Sequence, residues 1–425
     1  ILDNNAADSL NNNPRETQIL RQELARSRKF KPARELFEKV SNVAKKLKPC
    51  WAMSPLIVSK VMPSAEPFFD VVIFDEASQI VPYDAITSIL RGKQSIVAGD
   101  SKQLSPTSTA FFATANDGNS ASNLDDGDGF SAVDETESLL DAVKEALPPV
   151  YGTKRLLWHY RSEDERLISF SNCHPELYQK KLITAPSISS IPPFIYHQVE
   201  GDFTEISGKS PEAECRKTIE LSINHLKTKP NESLAIIAFG ADHARRLEKE
   251  FSKQIGEEDF TMSPNDRPEE KFIIRHLETI QGDERDVIFL STGYGPNSAD
   301  KLRQNFGPIN LDNPKFFGLR RLNVAITRAR KRIEVISTID PYKYDDNQLN
   351  QVSKKAFIQY LRYVKSGGTD LGDLSIDSVP MNAFEQDIYD ALVERGVGLV
   401  PQYGVSGYRL DFAVQHPKEK GKYIL

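Results

Sequence analysis

Cysteine is scarce in this chain. Cys50, Cys173 and Cys215 are the only three among 425 residues, and they lie far apart. That excludes a disulfide framework and a cysteine-built metal cluster, and it fits a reduced, cytoplasmic compartment. Long apolar runs are also missing: none approaches the roughly 20 residues that a bilayer-spanning helix needs. The opening Ile1-Leu2-Asp3-Asn4-Asn5 is polar, has no initiator methionine and carries no signal-peptide pattern. The chain is therefore expected to be a piece of a longer protein. A surplus of positive charge is lacking too. A net charge of −6 argues against a uniformly basic surface, though not against a locally basic groove. No internal repeat is visible.

The phosphate-cradling pattern G-x-x-x-x-G-K-[ST] is absent. The one Gly-Lys-Ser, Gly208-Lys209-Ser210, has Phe203 where the first glycine belongs, and no buried strand leads into it. Ser210-Pro211-Glu212-Ala213 reads instead as a helix start, with the serine as N-cap and proline in the first turn.

What is present is charge in blocks and strands in series. Residues 14–48 carry eleven Lys/Arg against four Glu, with Ile19, Leu20, Leu24, Leu36, Phe37, Val40, Val43 and Leu47 at helical spacing. This reads equally as a basic helical pair beside a phosphate backbone and as a solvated helix face. Residues 117–141 hold eight Asp/Glu, no Lys/Arg, and Gly118, Gly127 and Gly129, the composition of a mobile acidic loop. Apolar runs at 234–239, 287–291 and 333–337 read as strands, with a helical stretch from Asp242 to Phe251 between the first two. Strands alternating with helices predict an α/β fold with a parallel sheet, and phosphate chemistry is then expected at the carboxyl ends of the strands.

Two segments bear on that chemistry. Val71-Val72-Ile73-Phe74-Asp75-Glu76-Ala77-Ser78 reads as a buried strand ending in two adjacent carboxylates. Ser95-Ile96-Val97-Ala98 leads into Gly99-Asp100-Ser101-Lys102-Gln103-Leu104-Ser105-Pro106, which places a glutamine just past a neighbouring strand. An acid for Mg²⁺, an acid for the attacking water and a glutamine near the terminal phosphate are the parts that nucleotide hydrolysis uses.

Asp75-Glu76-Ala77-Ser78 and the Gly99–Pro106 segment resemble helicase motifs II and III. Leu157-Trp158-His159-Tyr160-Arg161-Ser162 resembles motif IV, and the run from Glu278 through Thr279, Gln281, Gly282 and Glu284 to Ile288 resembles motif V. Arg320-Arg321-Leu322-Asn323-Val324-Ala325-Ile326-Thr327-Arg328-Ala329-Arg330 resembles motif VI. The set, over roughly residues 50–340, is similar to superfamily 1 helicases on the branch of the nonsense-mediated decay helicase.

The resemblance implies two RecA-like domains: the first, incomplete, over 1–150 and the second over 151–345, with a linker at 346–380. It implies Asp75 for Mg²⁺, Glu76 as general base, Gln103 as phosphate sensor, and Arg161 and Arg328 as arginine fingers. Glu284 would accept a hydrogen bond from the ribose, Gln281 would lie near the junction of nucleotide and nucleic acid, and Thr279 would touch the nucleic-acid backbone. It also implies ATP and Mg²⁺, a single-stranded or tailed duplex DNA partner (RNA remaining open), 5′→3′ travel, and a phosphate loop on an N-terminal half outside these residues. The isolated chain is then expected to hydrolyse ATP negligibly.

After Ser366-Gly367-Gly368-Thr369, residues 381–425 read as a helix from Phe384 through Leu392 to a stop at Gly396, a strand from Leu399 to Tyr403, a turn at Gly404-Val405-Ser406-Gly407, and a strand from Tyr408 to Val414. Asp411 falls mid-strand among apolar neighbours, a costly position without a partner or a metal. The order resembles restriction-endonuclease-like domains of the very-short-patch-repair type, which implies a Mg²⁺-dependent nuclease with Asp411 as ligand and Glu385 as an auxiliary one. The next strand would start at Lys422, so the nuclease site would be incomplete here.

Overall fold

The computed structural model describes residues 2–62, 67–106, 138–147, 152–201, 210–255, 263–296, 304–310, 312, 317–372, 380–404 and 409–424. Most of the acidic stretch with Gly118, Gly127 and Gly129, the Gly208-Lys209 pair, and residues 405–408 and 425 of the C-terminal reading lie outside the described residues. The chain forms two units. One comprises residues 1–101 and 105–153, the other residues 102–104 and 154–425.

The first unit opens with helices α1 (Leu2–Asn12), α2 (Pro14–Leu24), α3 (Ala33–Lys39), α4 (Ser41–Leu47) and α5 (Pro55–Val61). Val40 and Val43 are buried there, whereas Leu24 faces solvent. Strand β1 (Phe69–Phe74), α6 (Pro82–Ile89), β2 (Gly92–Val97) and α7 (Leu139–Ala146) follow. β1 and β2 pair in parallel, with Val72 opposite Ser95 and Phe74 opposite Val97. The strands are where the apolar runs put them, but they are not buried on both faces. Val72, Phe74 and Val97 pack with Ala77, Ala85, Leu139 and Leu140, while Val71, Ile73 (66% exposed) and Ile96 on the alternate face face outward. The period-2 alternation of a strand accounts for the split: a helix layer covers one face only among the described residues.

The second unit is a three-layer α/β/α sandwich. Its sheet is parallel, in the order β3 (Phe194–Gln198), β7 (Ala329–Ser337), β6 (Arg285–Ser291), β4 (Leu234–Ala238), β5 (Ile273–His276). Every residue of β4 and β6 is buried, as expected of central parallel strands covered on both sides. On one face Ala235, Ile237, Ile288, Leu290, Ile333 and Val335 meet α8 (Arg166–Cys173), α11 (Phe317–Ile326) and α12 (Val352–Lys365). On the other, Leu234, Ile236, Val287, Phe289 and Ile336 meet α9 (Glu212–Thr228) and α10 (Ala241–Ile255).

Three sequence expectations need revision. Residues 346–380 do not act simply as a linker: α12 buries Ala356, Phe357, Ile358, Tyr360, Leu361, Tyr363 and Val364 in the core, an apolar stripe that spans more than half the helix circumference. Helix α9 starts at Glu212 with Pro211 preceding it. Ser210 does not cap it; its carbonyl and hydroxyl accept from Arg246 Nη1 at 2.7 and 3.2 Å. Finally, Asp411 does not sit in an apolar interior. It lies on β9 (Leu410–Val414), antiparallel to β8 (Leu399–Tyr403), with its side chain exposed, so its carboxylate carries no burial cost there.

Candidate functional site

In the first unit the acidic pair follows β1 directly. Asp75 Oδ1 accepts the Glu76 backbone N–H at 2.9 Å. Glu76 has φ 51° and ψ 39°, the left-handed region that a non-glycine residue rarely occupies. That twist ends the strand and starts the 3₁₀ turn Ala77–Gln79. Two adjacent carboxylates, Asp75 exposed and Glu76 partly so, offer the hard oxygen ligands that suit Mg²⁺.

In the second unit the signature residues gather at the amino ends of β6 and β7, not at the carboxyl ends anticipated from the α/β rule. Motif V forms the loop from β5 into β6, and motif VI is the end of α11 leading into β7. Thr327 and Arg328 close that helix. Thr327 Oγ1 donates to the Asn323 carbonyl at 2.8 Å, and Arg328 Nε donates to the Val324 carbonyl at 2.9 Å, satisfying carbonyls that a helix end leaves unpaired. With Nε so used, the guanidinium is fixed, and its Nη2 donates to Gln103 Oε1 at 3.1 Å. Asn323 supports the same segment by donating to the Lys102 carbonyl at 2.9 Å.

Arg161 lies beside this pair. Its Nη1 reaches the Thr327 carbonyl at 3.3 Å and its Nε donates to Glu284 Oε2 at 2.7 Å. Glu284 is bridged on its other oxygen by Arg330 Nη1 at 3.2 Å. Arg330 Nε in turn binds Asp286 Oδ1 at 3.0 Å, and its Nη2 binds Glu270. Burial works to raise the Asp286 pKa, but Arg267, the Ser233 backbone and Arg330 outweigh it and hold the carboxyl down at about 2. His159 donates to or accepts from Ser162 Oγ at 2.9 Å and is pushed down to about 4, by burial first and by Arg161 second. Gln281 and Glu284 are half-buried in the same loop. Thr279 is exposed, and its hydroxyl closes the turn by donating to the His276 carbonyl at 3.2 Å.

The carboxyl ends of β6 and β7 hold something else. Glu214 on α9 accepts from Ser291 Oγ at 2.9 Å, from Thr292 and from the Gly293 N–H at 2.6 Å, and the Thr338 N–H faces it at 3.4 Å. His243 Nε2 meets Ser291 Oγ at 2.7 Å. Burial pushes Glu214 up to about 7 and His243 down to about 3. These groups are sealed from solvent, a structural tie rather than an open site.

Of the residues singled out from sequence, the fold brings Gln103, Arg161, Glu284 and Arg328 together, sets Gln281 and Thr279 on the loop that carries Glu284, and places Asp75 and Glu76 side by side. Two neighbouring residues, Tyr160 and Arg330, were not singled out from sequence. Tyr160 is 91% exposed directly before Arg161, and an aromatic ring left in solvent beside a finger candidate was the available signal. Arg330 follows Arg328 by two at the start of β7, within the same motif-like run. At the C-terminus, the Glu385 carboxylate completes a capping box with Asn382 at the start of α13 (Ala383–Glu394) and accepts from Gln402 at 3.2 Å. Among the described residues no group of three or more His, Cys, Asp or Glu is placed to hold a metal, so Asp411 and Glu385 do not form a ready cluster. No described helix is long and apolar enough to cross a membrane.

Residues 55–110 and 137–340 each match a family model described as an AAA domain. The chain is 30% identical over 347 residues to the uncharacterized ATP-dependent helicase MG140 of Mycoplasma genitalium, covering 79% of this chain and 29% of that protein. It is 24% identical over 341 residues to the helicase MOV-10 of Gallus gallus, covering 72% and 32% respectively. The chain thus spans about three tenths of the length of these relatives. Among solved structures, the C-terminal domain of a possible DNA helicase from Lactobacillus plantarum aligns over 42% of this chain and 88% of its own, at 15% identity and TM-score 0.25.

Proposed function

We propose, from a chain that belongs with the superfamily 1 ATP-dependent helicases by its AAA domains and its relatives, that these residues are the motor of a cytoplasmic DNA helicase that hydrolyses ATP and moves 5′→3′. The observation that carries this reading is the meeting of Gln103, Arg161, Glu284 and Arg328, drawn from four separate motifs, at one end of one sheet. Two guanidiniums held by a neutral amide and by one carboxylate are poised to exchange those partners for phosphoryl oxygens and a ribose hydroxyl.

In the mechanism this supports, Asp75 and Glu76 are the oxygen donors that fit Mg²⁺, which when bound supplies Lewis-acid neutralisation of phosphate charge. Glu76 takes the proton of the attacking water. Arg161 and Arg328 offset the charge that develops on the transferred group, and Gln103 reports its presence to the neighbouring segment. Glu284 accepts from the ribose, and the exposed ring of Tyr160 offers a face for the base. Gln281 and Thr279 lie toward the nucleic acid. The glycine-rich loop that these 425 residues lack would come from elsewhere in the intact protein. The decisive experiment uses the intact protein on duplexes with a 5′ or a 3′ single-stranded DNA tail and on RNA equivalents. Opening of the 5′-tailed DNA alone is expected. The reverse polarity, RNA preference, or ATP turnover without strand separation would each replace this reading.

We also propose that residues 381–424 begin a nuclease-like module with Asp411 as a Mg²⁺ ligand and Glu385 as an auxiliary ligand, supported by the helix–strand–strand order of α13, β8 and β9. The exposure of Asp411 leaves it accessible to a cation. In the intact protein Asp411→Ala should abolish Mg²⁺-dependent strand cleavage while ATP turnover stays near wild type. Equal cutting by both, or by neither, would make the module a nucleic-acid-binding one.

A further inference from the structure

Arg330 has no part in the functional reading above, yet its side chain is tied to four acceptors. Its Nε binds Asp286 Oδ1 at 3.0 Å, its Nη1 binds Glu284 Oε1 at 3.2 Å, and its Nη2 binds Glu270 and, at 3.2 Å, Ser233 Oγ. All three nitrogens are engaged, in directions that only a planar fork can serve at once. The inner anchors are themselves held: Arg267 binds Asp286 Oδ2 at 2.6 Å and Glu270 Oε2 at 2.9 Å. Asp286 is 3% exposed, so the ladder is rooted in the interior and climbs outward through Arg330 to Glu284 and then to Arg161. The backbone runs the same way, since the Glu163 N–H donates to the Arg330 carbonyl at 2.8 Å and so lays the Arg161 segment along the start of β7.

An isolated, half-exposed Arg–Glu pair holds its geometry poorly, because two long side chains lose rotamer freedom for a screened attraction. Glu284 escapes that limit only through its second oxygen. We propose that Arg330 is a positioning residue for the arginine finger: by pinning Glu284 from below it sets where Glu284 holds Arg161. Glu284 thereby parks Arg161 until another hydrogen-bond donor competes for the carboxylate. This rests on the reading of Arg161 as a finger, which can fail separately.

Two arms test it. In the 425-residue chain, the Nε–Hε resonance of Arg161, identified by its loss in Arg161→Lys, reports the Glu284 bond directly. Arg330→Lys keeps the charge but cannot reach three acceptors. It should move that resonance toward the position of an unpaired arginine, as Glu284→Gln does, and the double variant should add nothing. A folded Arg330→Lys chain with the Arg161 resonance unmoved overturns the proposal. Should Arg330→Lys not fold, Glu284→Asp leaves the bonds from Arg330 to Asp286, Glu270 and Ser233 in place but is too short to bridge both arginines. An unmoved Arg161 resonance in that variant overturns it equally. In the intact protein, Arg330→Lys should lower kcat for ATP about tenfold with KM changed less than about threefold, and should have no further effect in a Glu284→Gln background. A purely structural Arg330 would cost the same factor in both backgrounds. Undiminished turnover by Arg161→Ala would instead remove the finger reading, and the proposal with it, whatever the resonance does.

Discussion

Arg328 Nη2 lies 3.1 Å from the Oε1 of Gln103, a residue that belongs to the second unit although it follows a strand of the first. The acceptor is a neutral amide oxygen. That contact orients the guanidinium without itself offsetting its charge. Gln103→Glu would replace that contact with an ion pair. In the intact protein it should lower ATP turnover, measured as phosphate release, by at least about tenfold by capturing Arg328. Arg328→Ala should lower turnover by about 10³ or more, the range for arginine fingers. Retention of a tenth of wild-type turnover by Arg328→Ala would remove Arg328 from that role.

Glu76 leaves β1 in a left-handed turn, with Asp75 bonded to its own N–H. The intact Glu76→Gln protein should bind ATP within about threefold of wild type and hydrolyse it at least about 100-fold more slowly, since only the base is lost. Equal losses in binding and turnover would assign Glu76 a ligand role instead.

Buried titratable groups, Glu214 and His243 in the sealed cluster together with His159 and with His174 at the end of α8, make stability depend on pH in opposing directions. Burial raises Glu214 from 4.5 to about 7, so between those values the folded chain keeps a proton that the unfolded chain releases, and this contribution fades as pH rises. Burial lowers His159 and His174 from 6.5 to about 4 and His243 to about 3, so the contributions of these three are lost as pH falls below 6.5. Urea unfolding of the chain should show stability rising from pH 4.5 to 6.5. The deficit of Glu214→Gln relative to wild type should be largest near pH 5 and smallest near pH 7.5. A deficit that grows with pH would mean that Glu214 is ionised in the fold.

Helix α12 offers a paired test of the core. Phe357 is fully buried, and Phe357→Ala should cost about 3–5 kcal/mol by urea unfolding. Tyr360 is equally buried, yet its hydroxyl finds no hydrogen-bond partner among the described residues. Tyr360→Phe should therefore stabilise the chain by about 1 kcal/mol. Destabilisation by Tyr360→Phe would show that the hydroxyl is satisfied by water.

Much of the fold could be read from strand composition. Leu234–Ala238 and Val287–Leu290 have the continuous apolar character expected of a doubly covered parallel strand, and both strands are central. The candidate site was legible because its residues sit in short runs, where Arg328 is preceded by a helix and Glu284 by a glycine turn at φ 89°. What composition could not convey was partnership. Ile73 reads as buried in any window but has no covering layer among the described residues. Arg330 looks like another surface cation until Asp286 and Glu270, distant in sequence, are seen beneath it. Asp411 is exposed on β9 although its sequence neighbours are apolar, and although Ala413, two residues on, is buried.

The strand order of the second unit also dictates when it can fold. Among the described residues β3 has one sheet neighbour, β7, which is the last strand of that sheet to leave the ribosome. During synthesis β4, β5 and β6 can associate as soon as they emerge, while β3, made before all of them, waits with its hydrogen-bonding edge open until residues 329–337 arrive. Premature termination anywhere upstream of Ala329 would thus release a second unit whose first strand has nowhere to pair, a natural target for chaperones and proteases.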